Sequence, residues 1–267
     1  MRYVLDNDMH IHSGLSLCSK DPEQTPERIL QYAKDNGITT LVLTDHYWDE
    51  SIPDVTNFYT VQNFPWICQA KPLPQCEGIR FLFGAETDID KNMRLGLPKE
   101  KFDDFDFVVI PTTHLHMKNF TITEEDASTV EGRAKVWIKK LEALLNMDIP
   151  FHKVGIAHLT CGLIAPTREE YLQVLDLLPT EKLVELFTKC ANLGAGIELN
   201  SYDMKFKEEE ADTVLRIYRI AKSCGCKFYM GSDAHHPEAL DYAPTSFNRA
   251  IDVLKLTEDD KFILKNN

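Results

Sequence analysis

Apolar residues fall along the chain in two alternating rhythms. Short runs rich in Val, Ile, Leu and Phe occupy residues 2–12, 39–46, 79–87, 105–113, 153–158, 194–200 and 227–233, bounded by turn-forming residues. They read as strands of a largely buried sheet. Longer segments, with apolar residues three or four positions apart, lie between most of them. In 26–36, Ile29, Leu30 and Ala33 share one helical face, and Asn36-Gly37 supplies a stop. Thr123 before Glu124-Glu125-Asp126 reads as an N-cap with an acidic first turn, opening a helix to about Asn146. Residues 167–178, 180–193 and 208–223 carry the same pattern, and His236-Pro237-Glu238 opens a further helix.

Strands alternating with helices predict an α/β fold with a mainly parallel sheet. A closed barrel of the TIM type is expected rather than an open doubly wound sheet, because no Gly-rich phosphate fingerprint follows the first strand. Residues 1–267 read as a single domain with one interruption. The segment 47–78 holds Pro53, Pro65, Pro72 and Pro74 together with Tyr47, Trp48, Phe58, Tyr59, Phe64 and Trp66. In a barrel this insertion falls over the mouth, where substrates enter.

Composition narrows the partners. At 267 residues and 43% hydrophobic, the chain can bury a large core. A net charge of −13 disfavours nucleic acid and anionic membranes as partners. No apolar run reaches the length of about 18 residues that a membrane helix needs, and no signal-peptide pattern opens the chain. Seven cysteines at irregular spacing, Cys224-Gly225-Cys226 among them, fit a reducing cytoplasm better than a disulfide framework, so a cytoplasmic location is expected.

The strand ends then carry unusual residues. In the first strand Asp8, His10 and His12 share one parity and Met9 and Ile11 the other, so one face is polar at its end. The second ends Thr44-Asp45-His46, the third Gly84-Ala85-Glu86, the fourth Thr112-Thr113-His114, the fifth Ala157-His158 and the seventh Asp233-Ala234-His235. Six of the seven runs thus finish in an imidazole or carboxylate that can bind a metal, all at the end that converges on one rim of a parallel barrel. Unrelated histidines would not collect in this way.

In order, "DMHIHS", "LTDH", "GAE", "TTH", "AHL", "IELN" and "GSDAHHPEAL" resemble the PHP (polymerase and histidinol phosphatase) superfamily over about residues 4–240. The resemblance implies a distorted (β/α)7 barrel, two or three divalent metal ions (zinc, manganese or iron) at the C-terminal strand ends, and phosphate-ester hydrolysis. Carried over by position, His10, His12, Glu86 and Asp233 match ligands of one metal. Glu86, His114 and His158 match a second, with Glu86 bridging, and His46 and His235 match part of a third. The loop that usually completes the third site reads "SGLSLCSKDPEQTPERI" and offers Cys18 or Asp21 in place of a histidine; a thiolate there would favour zinc.

For catalysis, Asp233, His235 and Glu86 are the candidates, with metal-activated hydroxide attacking phosphorus and Asp233 orienting or deprotonating the water. Asp8, Thr44, Glu198 and Asn200 are candidates to support the ligands, Asp8 by accepting a ligand histidine's second N–H. Arg94, Arg168 and Lys205 are candidates to bind the substrate phosphate. The expected partner is a small-molecule phosphate monoester, histidinol phosphate being one candidate. A phosphodiesterase or nuclease is the alternative, disfavoured by the acidic balance, and a metal-stabilised binding module without turnover is the non-enzymatic one. An amidohydrolase-type site would want a strand-end lysine, which this sequence lacks.

Overall fold

The computed structural model describes residues 1–265. Seven parallel strands, β1 (Asn7–Ile11), β2 (Thr40–Leu43), β3 (Arg80–Glu86), β4 (Phe107–Pro111), β5 (Val154–Ala157), β6 (Gly196–Asn200) and β7 (Lys227–Gly231), pair in sequence order. The seam between β7 and β1 closes through backbone bonds from Asp233 N–H to His10 O (2.7 Å) and His12 N–H to Ala234 O (3.1 Å). Lower down, the side chains of Asn7 and Asp8 close it instead, accepting from Met230 N–H and Ser232 N–H at 2.9 Å each. The molecule is the expected distorted barrel of seven strands, and among the described residues no helix is long and apolar enough to cross a membrane.

Helices α1 (Pro26–Asn36), α4 (Val130–Leu145), α5 (Arg168–Leu177), α6 (Thr180–Leu193), α7 (Ala211–Ser223) and α8 (Pro237–Val253) coat the outside. Two single turns, α2 (Asn57–Thr60) and α3 (Phe64–Ile67), lie in the insertion. Local chemistry sets the ends of α1: the Thr25 hydroxyl caps Arg28 N–H, Pro26 opens the first turn, and Gly37 ends it at φ 68°. The expected start of α4 is displaced. Thr129, not Thr123, caps that helix through Gly132 N–H, while Thr123 caps a separate tight turn at Asp126 N–H. Residues 2–6 lie outside β1; Tyr3 N–H instead bonds Leu256 O in the C-terminal segment.

Two layers of apolar packing follow from strand alternation. Leu41, Leu43, Val108, Ile110, Ile197 and Leu199 point out under the helices. Val42, Phe107, Val109, Ala157 and Tyr229 point in, and Phe262 and Leu264 of the C-terminal segment close the lower end. Room for these rings depends on small residues; a Cβ on Gly155 would lie 2.6 Å from both the Phe107 and Tyr229 rings. The lower half of the barrel is therefore a packed plug, with the cluster of histidines and acids above it.

Strand β1 departs from simple alternation. Asp8 pairs with Leu41 and Ile11 with Leu43, leaving both Met9 and His10 opposite Val42. The extra residue is a bulge that turns Met9 and His10 inward together. Asp8, expected on the same face as His10, points outward and accepts the Tyr32 hydroxyl of α1 at 3.1 Å.

Candidate metal centre

The upper end of the barrel gathers six histidines and two acids from six strand ends. Glu86 lies at their middle, 1% exposed. Its Oε2 is 3.5 Å from His10 Nε2, 3.3 Å from His12 Nε2 and 2.9 Å from His46 Nδ1. Its Oε1 is 3.4 Å from His158 Nε2 and 3.9 Å from His114 Nε2. Asp233 faces the same rings, with Oδ1 3.2 Å from His12 Nε2 and Oδ2 3.7 Å from His158 Nε2. His235 stacks on His12 with ring centres 4.1 Å apart. Four sets of donors converge closely enough to share an ion: His10–His12–Glu86, Glu86–His114–His158, His12–His46–His235 and His10–His158–Glu198, the last containing the carboxylate that His10 already bonds.

The rings are held by their far nitrogens. His10 Nδ1–H donates to Glu198 (2.6 Å), His12 Nδ1–H to Ser16 Oγ (2.9 Å), His114 Nδ1–H to Asp88 (3.2 Å), and His235 Nδ1–H to the Asp233 carbonyl (2.8 Å). Each bond fixes the tautomer so that Nε2 presents a lone pair inward. The supports are themselves anchored. Ser16 donates to Asp45 at 2.7 Å, Asp88 accepts the Tyr59 hydroxyl at 2.6 Å, and Glu198 also accepts His158 N–H at 2.9 Å. The His10 Nδ1–H thus goes to Glu198, not to Asp8 as the sequence parity suggested. Gly231 permits this, since a Cβ there would collide with Glu198 Oε1.

The centre also costs backbone energy. His158 at φ 61° and Asp233 at φ 52° adopt the left-handed region that non-glycine residues rarely enter. Each costs about 1–3 kcal/mol and persists where surrounding structure demands it. Both lie just past the end of a strand, where the turn brings the side chain over the barrel mouth.

Charge balance is strained in the same place. Burial alone would push Glu86 up, yet His46 and His10 hold it well below the usual carboxylate range; Asp233 is likewise held down by His158 and His10. Burial alone would depress His10, but Glu198, Glu86 and Asp233 outweigh it and raise it well above its ordinary value. His235 falls to about 3, through burial and then His12.

The donor set fits divalent cations. Both oxygens of Glu86, His158 Nε2 and His46 Nδ1 are buried without a well-aligned hydrogen bond, although His46 Nδ1 lies 2.9 Å from Glu86 Oε2. His10 Nε2 and His12 Nε2 face one another at 3.0 Å. Buried lone pairs and a buried carboxylate left in this state are expensive, and shared metal ions would satisfy all of them.

The remaining candidates separate. Cys18 is exposed and borders a 360 Å³ cavity with His46, Glu86, Asp233 and His235, but is not within reach of a three-ligand set. Asp21 is directed elsewhere: its Oδ1 accepts Glu23 N–H at 2.9 Å, and it lines a different cleft with Gln24 and Lys71. Arg94 is not brought to the site, because Asp90 (2.7 Å) and Asp54 (3.0 Å) hold its guanidinium. Arg168 borders a second cavity, of 440 Å³, beside His158 and Asp233, with its guanidinium on Glu210 at 3.0 Å. Lys205 lies over the Tyr202 ring at 4.3 Å. Asp88 was missed by the sequence reading, although its spacing of two from Glu86 was a signal. All seven cysteines are free thiols.

Comparison with known proteins accords with this geometry. The family model described as PHP domain matches residues 8–235. No curated protein matches the sequence. A histidinol phosphate phosphatase from Lactococcus lactis subsp. lactis Il1403, solved with zinc, L-histidinol and phosphate, is similar in structure with a TM-score of 0.57 at 16% identity, covering 92% of this chain and 93% of its own. A Listeria monocytogenes protein proposed to be a histidinol phosphatase gives a TM-score of 0.63 at 13% identity, covering 91% of this chain and 100% of its own. At such identities the two structures speak for the fold. The family match, however, runs through every member of the cluster, from His10 to His235, and on that basis the chain belongs to the PHP-domain family and is a metal-dependent hydrolase.

Proposed function

We propose that the protein is a phosphatase for a small phosphate monoester, with histidinol phosphate the first candidate, and that it holds two or three divalent ions, zinc, manganese or iron. The observation that carries this reading is the set of buried donors on Glu86, His46 and His158, without well-aligned hydrogen bonds, at the foot of two cavities. His10, His12, Glu86 and Asp233 would hold one ion, Glu86, His114 and His158 a second, and His12, His46 and His235 are within reach of a third. Divalent ions bound there lower the pKa of water and neutralise charge on phosphoryl oxygens.

The chain's own groups supply position and proton transfer. Asp233 lines both cavities and its side chain is 15% exposed, against 1% for Glu86. It is therefore the carboxylate placed to orient an incoming water and accept its proton. Glu86 is enclosed and serves to hold the donor sets together. His235, at the rim with its side chain 24% exposed, faces the ester. Among the residues bordering the two cavities, Arg168 is the one Lys or Arg, and it is already paired, so the phosphate relies on the ions for neutralisation. That arrangement suits one phosphoryl group better than a polyanion such as nucleic acid. The similar Lactococcus structure, with L-histidinol and phosphate, supports histidinol phosphate as the first substrate to assay.

The test is hydrolysis of p-nitrophenyl phosphate and of a metabolite panel including histidinol phosphate, with metal content measured on the same samples. We expect turnover that a chelator abolishes and added zinc or manganese restores. Metal-replete protein inert toward every monoester would refute the proposal and favour a binding role.

A further inference from the structure

The two cavities at the metal centre differ in chemistry. The 440 Å³ cavity is bordered by Arg168, whose guanidinium pairs with Glu210, and by Asp203 and Tyr202. The 360 Å³ cavity is bordered, away from the metal-binding donors, by Phe58, Tyr59, Met117 and Leu163. It has no Lys or Arg in its lining. Two of its walls come from the insertion. Phe58 sets its ring edge-on to His46 at 5.2 Å, and Tyr59 is locked between Trp48 (5.6 Å) and Phe120 (5.6 Å) while its hydroxyl holds Asp88. The wall is thus fixed in place before any substrate arrives. Its volume falls near the lower end of ordinary ligand sites, which run from about 300 to 1,000 Å³.

We propose that this apolar cavity is the leaving-group subsite and that it selects phosphate esters of alcohols bearing a flat, uncharged ring, while rejecting esters that carry a second phosphate. The proposal rests on the phosphatase reading and specifies its substrate class. Occupancy is argued from continuity: Glu86, His114, Asp233 and His235 border the same space, so an ester whose phosphate is held there extends its alcohol between Phe58 and Met117. Aromatic and thioether walls favour a ring by area and by edge contacts. A second phosphate placed there would be desolvated without a cation.

The experiment compares 2-phenylethyl phosphate, ethyl phosphate and fructose 1,6-bisphosphate on metal-loaded wild type, Phe58→Ala and Met117→Ala, with metal content and melting temperature recorded. Wild type should show kcat/KM at least about tenfold higher for the phenylethyl ester than for the ethyl ester, in line with what apolar pockets achieve. Each variant should compress that ratio to within about threefold. In parallel, saturation-transfer NMR should detect 2-phenylethanol on the as-isolated protein and lose the signal in Phe58→Ala. Equal efficiencies on the two esters in wild type, a ratio unmoved by both variants, or preference for the bisphosphate would each overturn the subsite while leaving the phosphatase reading intact. Inertness toward all three esters, and toward p-nitrophenyl phosphate, would overturn both.

Discussion

Glu198→Gln is the most informative single change, because the residue borders neither cavity of the centre yet bonds two of the proposed ligands. It is fully buried; one oxygen accepts His10 Nδ1–H at 2.6 Å and the other accepts His158 N–H at 2.9 Å. An amide has one acceptor oxygen. In either orientation its NH₂ therefore faces a buried N–H, leaving two donors opposed and His10 or the His158 backbone without a partner. A buried donor left unpaired costs about 1–3 kcal/mol, a factor of roughly 5 to 150 in an equilibrium constant. Supports behind metal ligands typically change metal affinity by about 10- to 100-fold. Competition against a zinc chelator of known affinity should thus show loss of the first metal at about 10- to 100-fold lower chelator concentration than wild type. Circular dichroism should report an intact fold. A competition midpoint within about threefold of wild type would refute the claim that Glu198 holds His10 for metal binding.

Three further outcomes follow from the same geometry. Asp233→Asn should lower turnover of p-nitrophenyl phosphate by at least about 100-fold; near-native rates at full metal content would remove Asp233 from proton transfer. Gly231→Ala drives a methyl into Glu198 Oε1 and against His10 Cβ, and should yield metal-deficient protein by elemental analysis, whereas full occupancy would contradict the packing argument. Asp8, raised to about 7 by burial against weaker opposing bonds from Ser232, binds its proton more tightly in the folded protein than in the unfolded chain, where an aspartate titrates at about 3.9. The stability that Asp8 contributes should therefore fall as pH rises from about 4 to 7, and Asp8→Asn should melt progressively higher relative to wild type over that window, with a plateau above it; a constant difference across pH would refute the assignment.

Much of this centre was legible in the sequence because strand ends in a parallel barrel share one rim, so His46, Glu86, His114 and His158 could be placed from their positions alone. Strand periods and the limits of α1 were likewise readable from caps and alternation. What escaped depended on contacts between distant segments. The bulge at Met9–His10 is set by pairing with Val42, and it reverses the face of Asp8. Pairing of Arg94 with Asp54 and of Arg168 with Glu210 joins residues 40 and 42 positions apart, which no local pattern reveals. Thr123 and Thr129 both offer a capping hydroxyl, and only the packed position of α4 decides between them. The left-handed turns at His158 and Asp233 carry only a weak residue signal, because Asp and His enter that region more often than other non-glycine residues but far less readily than glycine.

The central claim is that Glu86 shares its two oxygens between different ions. Anomalous X-ray diffraction from crystals of the as-isolated protein tests it directly. The account predicts at least two first-row metal peaks, one contacting each Glu86 oxygen at about 2.0–2.2 Å, with His158 on one and His10 or His12 on the other. Full-occupancy metal elsewhere in the molecule, with none touching Glu86, would contradict it.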